Sequence, residues 1–469
     1  LVILNSNFNY LKGRKSIMKT FNKLTGVLLF LFLFIFFYSE AYSQSWSPMG
    51  GGTGWGKTLA VYNNELYAGG VYGILKWNGV SWVPVGSGVN GEVDALVVYN
   101  NKLVVGGKFI DAGTTGTPYL DQWDGSTWSD LGGGPNSYVQ CLTVYGNKLI
   151  IGGYFTQCEN LPTNHVVQYD GSNFTTLGSG TGGSQGQVMA LTSWNNLLIA
   201  GGFFTTAGGN SVMHLASWNG SSWSALGSGT NSIVYTLGVY KGDLIAGGLF
   251  TSAGGNSAHC VAAWNGTSWS ALGSGCGGGF YPYVFGLAAY GNDLYVGGYY
   301  TIAGGMTANG IAKWNGASWS TLGSGFWNGG SNAFGADEVI IFNNRLVATG
   351  IFSSAGGVGA GNIAQWDGLI TETQNISSST PDKFELGQNY PNPFNPSTKI
   401  QFSVPKGAND VKLIVHNILG KEIETLVNGK FAPGSYEVQW NASGYPSGNY
   451  FYRLIADGYS ETKKMTLIK

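Results

Sequence analysis

An aromatic residue followed by Asn-Gly or Asp-Gly occurs at Trp77, Trp123, Tyr169, Trp218, Trp264, Trp314 and Trp366, at intervals of 46 to 52 residues. A second aromatic opens a short apolar stretch at Trp46, Trp82, Trp128, Phe174, Trp223, Trp269 and Trp319. A Gly doublet closes an apolar run at Gly69, Gly106, Gly152, Gly201, Gly247 and Gly297, with Thr349-Gly350 as the seventh copy. A unit this short cannot bury a core alone, so its copies must stack on one another. Each unit reads as four antiparallel strands; in the fifth they are 234–240, 244–250, 261–264 and 269–272. Asn-Gly and Asp-Gly suit the tight turns because both residues tolerate positive φ. The expected architecture is all-β: a seven-bladed β-propeller over 44–370 and then a small C-terminal β-sandwich. The repeats begin on an outermost strand at Trp46 and end on a third strand near Gly368. Residues 45–49 are therefore expected to complete the last sheet and leave no open edge.

Composition agrees with this reading and narrows the function. Charged residues make up 10% of the chain and there are 77 glycines, against about 25% charged in an average domain. The repeat region carries a net −6 and no basic stripe, which argues against nucleic acid as partner. Residues 1–17 read as an upstream start artefact and 18–43 as a signal peptide. Lys19 and Lys23 precede an apolar stretch at 27–37 that is too short to span a membrane, and Ala41-Tyr42-Ser43 offers a cleavage site. An integral membrane protein is not expected after cleavage. Export permits disulfides. Cys260–Cys276 is expected on the two ends of one hairpin, and Cys141–Cys158 flanking two neighbouring strands.

The apolar run, Gly-Gly and spaced Trp resemble kelch and galactose-oxidase-type propellers. "LIAGGFFTTAGGN" and "IAKWNGASWSTLGSG" are similar to Rax2-like extracellular repeats. After a Ser/Thr-rich stretch read as a linker, 371–383, residues 384–469 show strand-like runs at 399–404, 411–417, 435–440 and 450–456. This segment resembles the type A C-terminal sorting domain of type IX secretion substrates. The matching residues are Asn389-Tyr390-Pro391-Asn392-Pro393-Phe394, Gly420, Gly448, Tyr450 and Lys463-Lys464. The resemblance implies handling by the type IX secretion machinery through 384–469, outer-membrane export, and a mature protein released or attached to the cell surface.

No catalytic constellation stands out, and no cofactor or metal is expected. His165, His214 and His259 precede third strands in successive units, which keeps them too far apart to share a zinc ion at about 2.1 Å. Asp337, Glu338, Glu92 and Asp94 begin first strands. A carboxylate pair there would suit glycosidase chemistry, but solvated acids are the preferred reading. Trp55, Trp327, Phe280, Tyr281 and Tyr283 fall outside the repeat pattern, in connections between units, and are expected to form one exposed aromatic platform. The expected function is an exported binding or adhesion protein recognising an extracellular glycan or protein. The alternatives are a secreted glycan-active enzyme, a lyase or a hydrolase, and a structural surface protein.

Overall fold

The computed structural model describes residues 45–468 except 114, 331–333, 368–372, 378, 407–409, 432 and 443–444. The expected start artefact and signal peptide lie outside the described residues. Every described element is a β-strand. The first seven large sheets are four-stranded and antiparallel, and their first strands are Gly56–Tyr62, Val93–Tyr99, Val139–Tyr145, Gln187–Trp194, Val234–Tyr240, Tyr283–Tyr290 and Ala336–Phe342. We number these sheets 1 to 7. In sheets 1 to 6 the strands follow one another in chain order. Sheet 7 takes its outermost strand from the beginning of the chain: Trp46–Pro48 pairs with Ile363–Trp366, Trp46 opposite Trp366. Each first strand contacts the first strand of the next sheet, and that of sheet 7 contacts that of sheet 1.

The repeated aromatics explain the spacing between sheets. In every sheet the third-strand aromatic lies opposite the outer-strand aromatic, across the Asx-Gly turn in sheets 1 to 6, with ring centroids 4.7 to 5.4 Å apart. In the first six sheets the Asn or Asp side-chain Oδ1 of that turn accepts a backbone N–H three residues on. The outer-strand indoles of Trp82, Trp128, Trp223, Trp269, Trp319 and Trp46 each donate to a carbonyl of the preceding sheet at 2.7 to 3.2 Å. Trp82 of sheet 1 thus reaches Met49, just beyond the outer strand of sheet 7.

The Gly doublets have two jobs. A Cβ on the second glycine would collide with a carbonyl on the facing first strand: that of Glu92 at Gly107, of Ile233 at Gly248, of Gly335 at Gly350. At that place every first strand carries a β-bulge. The first glycine leaves room for a side chain of the next sheet: Val93 at Gly69, Val139 at Gly106, Val188 at Gly152, Val234 at Gly201, Val284 at Gly247 and Ala336 at Gly297. Between sheets 7 and 1 the roles are exchanged, with Thr349 supplying the side chain and Gly56 the space.

One core position breaks the pattern. Two places before the third-strand aromatic stands Leu75, Val167, Ala216, Ala262, Ala312 or Ala364 in six sheets, and Asp121 in sheet 2. Asp121 is fully buried. Its Oδ2 accepts from the Thr115 hydroxyl at 2.6 Å, and its Oδ1 has no hydrogen-bond partner. Burial pushes its carboxyl up to about 7, against about 3.9 in an unfolded chain. The folded state therefore holds the extra proton between pH 4 and 7, and stability falls as pH rises through that window. Asp121→Ala should stabilise the protein by about 1–3 kcal/mol at pH 8 and by much less at pH 4. Thermal melts at the two pH values check this; an equal or opposite effect would contradict it.

The expected disulfides are not formed, and all four cysteines are free. Cys141 and Cys158 pack into different core clusters. Cys260 and Cys276 share a cluster. However, Cys276 leaves its own hairpin to pair with Ala303 of the next sheet, and the Cys260 thiol donates to the Pro282 carbonyl at 3.3 Å.

The C-terminal segment forms two further four-stranded sheets. One orders Thr373–Ser377, Gly434–Asn441, Ser397–Val404 and Glu385–Leu386; the other orders Glu422–Lys430, Asp410–His416, Gly448–Ala456 and Tyr459–Leu467. A single core that includes Ile400, Phe402, Val438, Trp440, Tyr452 and Met465 lies between them. The segment read as a linker is corrected here. Its residues Thr373–Ser377 are an edge strand hydrogen-bonded to Gly434–Asn441; the polar composition that suggested a linker also suits a solvent-facing edge.

Candidate functional site

Each bulge adds one residue to a first strand, and a bulge re-aims a side chain. The seven added residues are Lys57, Asp94, Gln140, Met189, Tyr235, Phe285 and Asp337. All seven line one cavity of about 420 Å³. The flanking residues repeat from unit to unit, mostly Val before and Leu two places after, while the bulged position holds six different residue types, with Asp in two units. The scaffold is thus constant and the lining individual.

The lining divides by chemistry. One side is aromatic. Tyr235 lies 4.8 Å from Phe285 and 5.8 Å from Tyr283, and Phe285 lies 5.1 Å from Tyr299. Burial foremost, then the nearby Tyr283, pushes the Tyr235 hydroxyl up to about 12. The other side is charged. Lys57 forms ion pairs with Glu92 and, at 2.9 Å, with Asp94. Lys108 joins the same two acids at 3.1 and 3.8 Å. Asp337 stands where the sides meet, accepting from the Trp55 indole and the Tyr299 hydroxyl, both at 2.7 Å. Burial raises Asp337 to about 6 and Glu338 to about 8. The reading of these acids as solvated strand starts is therefore corrected: Asp94 is buried, and Asp337 and Glu338 are half-buried in the cavity wall.

The expected aromatic platform is only partly assembled. Phe280 meets Tyr281 edge-on and Tyr281 stacks on Tyr283, Tyr283 meets Tyr299 at 6.4 Å, and Tyr299 and Trp55 share Asp337. Among the described residues no ring contact joins Trp327 to this series. It lies on a short strand, Phe326–Trp327, paired to the outlying hairpin residues Ser354–Ala355. Trp55, Trp327, Tyr281 and Phe280 are 39%, 56%, 59% and 80% exposed, so the rim is open. Tyr235, Phe285 and Tyr299 were not anticipated as site residues. The signal for the first two was the unrepeated position inside the repeated strand. His165 and His214 sit in a left-handed turn before the third strand that recurs in every sheet, at φ 72° and 64°, and His259 one residue ahead of the corresponding place.

In the C-terminal sandwich the Pro-dense segment is pinned from within. Asn389 is buried; its amide donates to the Pro391 carbonyl at 3.1 Å and to the Thr398 hydroxyl at 2.9 Å. Phe394 packs on Trp440 at 5.5 Å, as does Tyr450 at 5.4 Å. Tyr390 stays exposed. Lys463 and Lys464, with Gln388, Asn392, Pro393 and Thr466, line an open groove, and Gly420 takes the positive φ of the 417–421 turn. This arrangement goes with a family match over the same residues. Residues 388–469 are a secretion system C-terminal sorting domain. Such a type IX sorting domain marks a protein that is secreted or attached to the outer cell surface. No curated protein matches the chain. Among solved structures it is similar to the computationally designed Ika8 protein, at 18% identity over 69% of this chain and 99% of that one, with a TM-score of 0.41. It is also similar to a Salmonella alpha-2-macroglobulin mutant, at 10% identity over 92% of this chain and 26% of that one, with a TM-score of 0.16.

Deleting residues 384–469 should keep the protein inside the cells of a type IX-competent host. Cell fractionation with an antibody to the sheets checks this, and normal amounts of the shortened chain outside the cell would contradict it.

Proposed function

We propose that the seven sheets are blades of a closed β-propeller, exported by its sorting domain, whose central cavity binds an extracellular glycan. Closure is supported by the contacts between sheets 7 and 1, by the Trp82–Met49 hydrogen bond and by the exchanged Thr349–Gly56 pair. The observation that carries the binding reading is the convergence of seven bulged, unrepeated residues on one cavity. Such a cavity suits a sugar: aromatic rings accept its C–H faces, and carboxyl, amide and hydroxyl groups take its hydroxyls. A glycan array probed with the full-length protein tests this. Binding of a defined set of oligosaccharides is expected, and a silent array would overturn it.

A second reading, a glycan-active enzyme, is favoured by Glu338. A carboxyl raised to about 8 holds its proton at neutral pH, as a general acid must. Cleavage of an array-selected glycan on prolonged incubation would establish it; an unchanged glycan would leave a binding protein.

A further inference from the structure

We infer that the glycan is an amino sugar with a free, protonated amine, which the cavity holds beside Asp337 and Glu338, with Asp94 in the same lining; this rests on the glycan-binding reading above. The cavity wall carries more carboxylate than its cations satisfy. Lys57 and Lys108 are both committed to Glu92 and Asp94. Asp337 is held only by neutral donors, the Trp55 indole and the Tyr299 hydroxyl. Glu338 Oε1 accepts only the backbone N–H of Val339, at 3.1 Å. Among the described residues neither Asp337 nor Glu338 forms an ion pair.

An independent observation marks the same cavity. The Asp94 side chain is 1% exposed, yet its Oδ2 has no hydrogen-bond donor; Lys108 Nζ is 3.8 Å away. A buried carboxylate oxygen without a donor is costly, so such atoms are expected to meet a ligand. What is missing is hydrogen-bond donors and positive charge together. An ammonium group supplies three donors and one charge. The neighbouring faces of Tyr235, Phe285 and Tyr299 suit a cation as well as a sugar ring.

The inference carries a pH signature. The charged and titratable groups facing Asp337 and Glu338 are Lys57 and Asp94 on the neighbouring first strands and Tyr299 on the second strand of sheet 6. Burial raises Asp337 and Glu338 to about 6 and about 8, so protons compete with the amine at lower pH. An ammonium ligand displaces those protons, so its affinity should rise as pH goes from 5.5 to 7.0, beyond which the sugar amine sheds its own proton.

Calorimetry on the full-length protein decides it, with three probes of equal length: a glucosamine oligosaccharide, its fully N-acetylated form and an uncharged glucose oligosaccharide. At pH 7.0 the free amine should bind at least ten-fold more tightly than either other probe. The advantage should shrink at pH 5.5, and Asp337→Asn with Glu338→Gln should remove it without lowering the melting temperature. Equal or tighter binding of the acetylated or uncharged probe would overturn the amine inference while leaving a glycan site. Failure of all three to bind would overturn both.

Discussion

Gly56→Val is expected to destabilise the repeat region by about 3 kcal/mol, since it forces a branched side chain into a filled interface. At six junctions a glycine of one sheet faces a valine or alanine of the next, and at the junction of sheets 7 and 1 Thr349 occupies the space that Gly56 leaves. Thr349→Gly alone should also destabilise, by about 1–3 kcal/mol, because it vacates a fully buried site and removes the hydroxyl that donates to the Asn362 carbonyl at 3.0 Å. Together the two changes rebuild the valine-on-glycine contact of the other junctions. The double variant should therefore be more stable than Gly56→Val alone, with a coupling of about 2 kcal/mol. The Asn362 bond stays lost, so rescue should stop short of the parent. Equilibrium denaturation of the four proteins gives the coupling. A neutral Gly56→Val, or two additive losses, would mean that sheets 7 and 1 are not packed as the ring requires.

The seven sheets were legible because their markers are local. An Asx-Gly turn and its two flanking aromatics specify a hairpin within a few residues, and the phase of these markers was enough to assign residues 45–49 to the last sheet, where Trp46 lies opposite Trp366. What escaped was set by contacts between units. Cys276 pairs with the next sheet's hairpin, which no spacing within its own unit reveals. Thr373–Ser377 is a strand only because Gly434–Asn441 offers it an edge. In the sorting domain Glu422–Lys430 and Tyr459–Leu467 were missed, since charged residues interrupt their alternation. The site was half legible. Trp55 was flagged for falling outside the repeat, and it does reach the cavity through Asp337. Trp327 was flagged for the same reason. It stands in place of an asparagine that elsewhere caps the neighbouring hairpin, as Asn90 and Asn231 do. Departure from a repeat thus marked both a cavity residue and a rim residue. What separates them is the hydrogen bond from the Trp55 indole to the bulged Asp337, a contact between sheets that no spacing reveals.

The cavity and the rim make opposite forecasts for two aromatic variants. Tyr235 is one of the seven bulged residues and faces Phe285 and Tyr283 across the aromatic side. Its removal takes a ring from the ligand's bed and little from the sheet, because the strand's hydrogen bonds do not depend on it. A central aromatic anchor is worth about 2 kcal/mol, or roughly thirty-fold in affinity. Trp327 is exposed and is not part of the cavity lining. The decisive measurement is the dissociation constant of the best array-selected glycan for the full-length protein, Tyr235→Ala and Trp327→Ala, with melting temperatures alongside. The account predicts a loss of about thirty-fold for Tyr235→Ala, less than two-fold for Trp327→Ala, and melting temperatures within a few degrees of the parent. Unchanged binding by Tyr235→Ala, or a loss confined to Trp327→Ala, would contradict it.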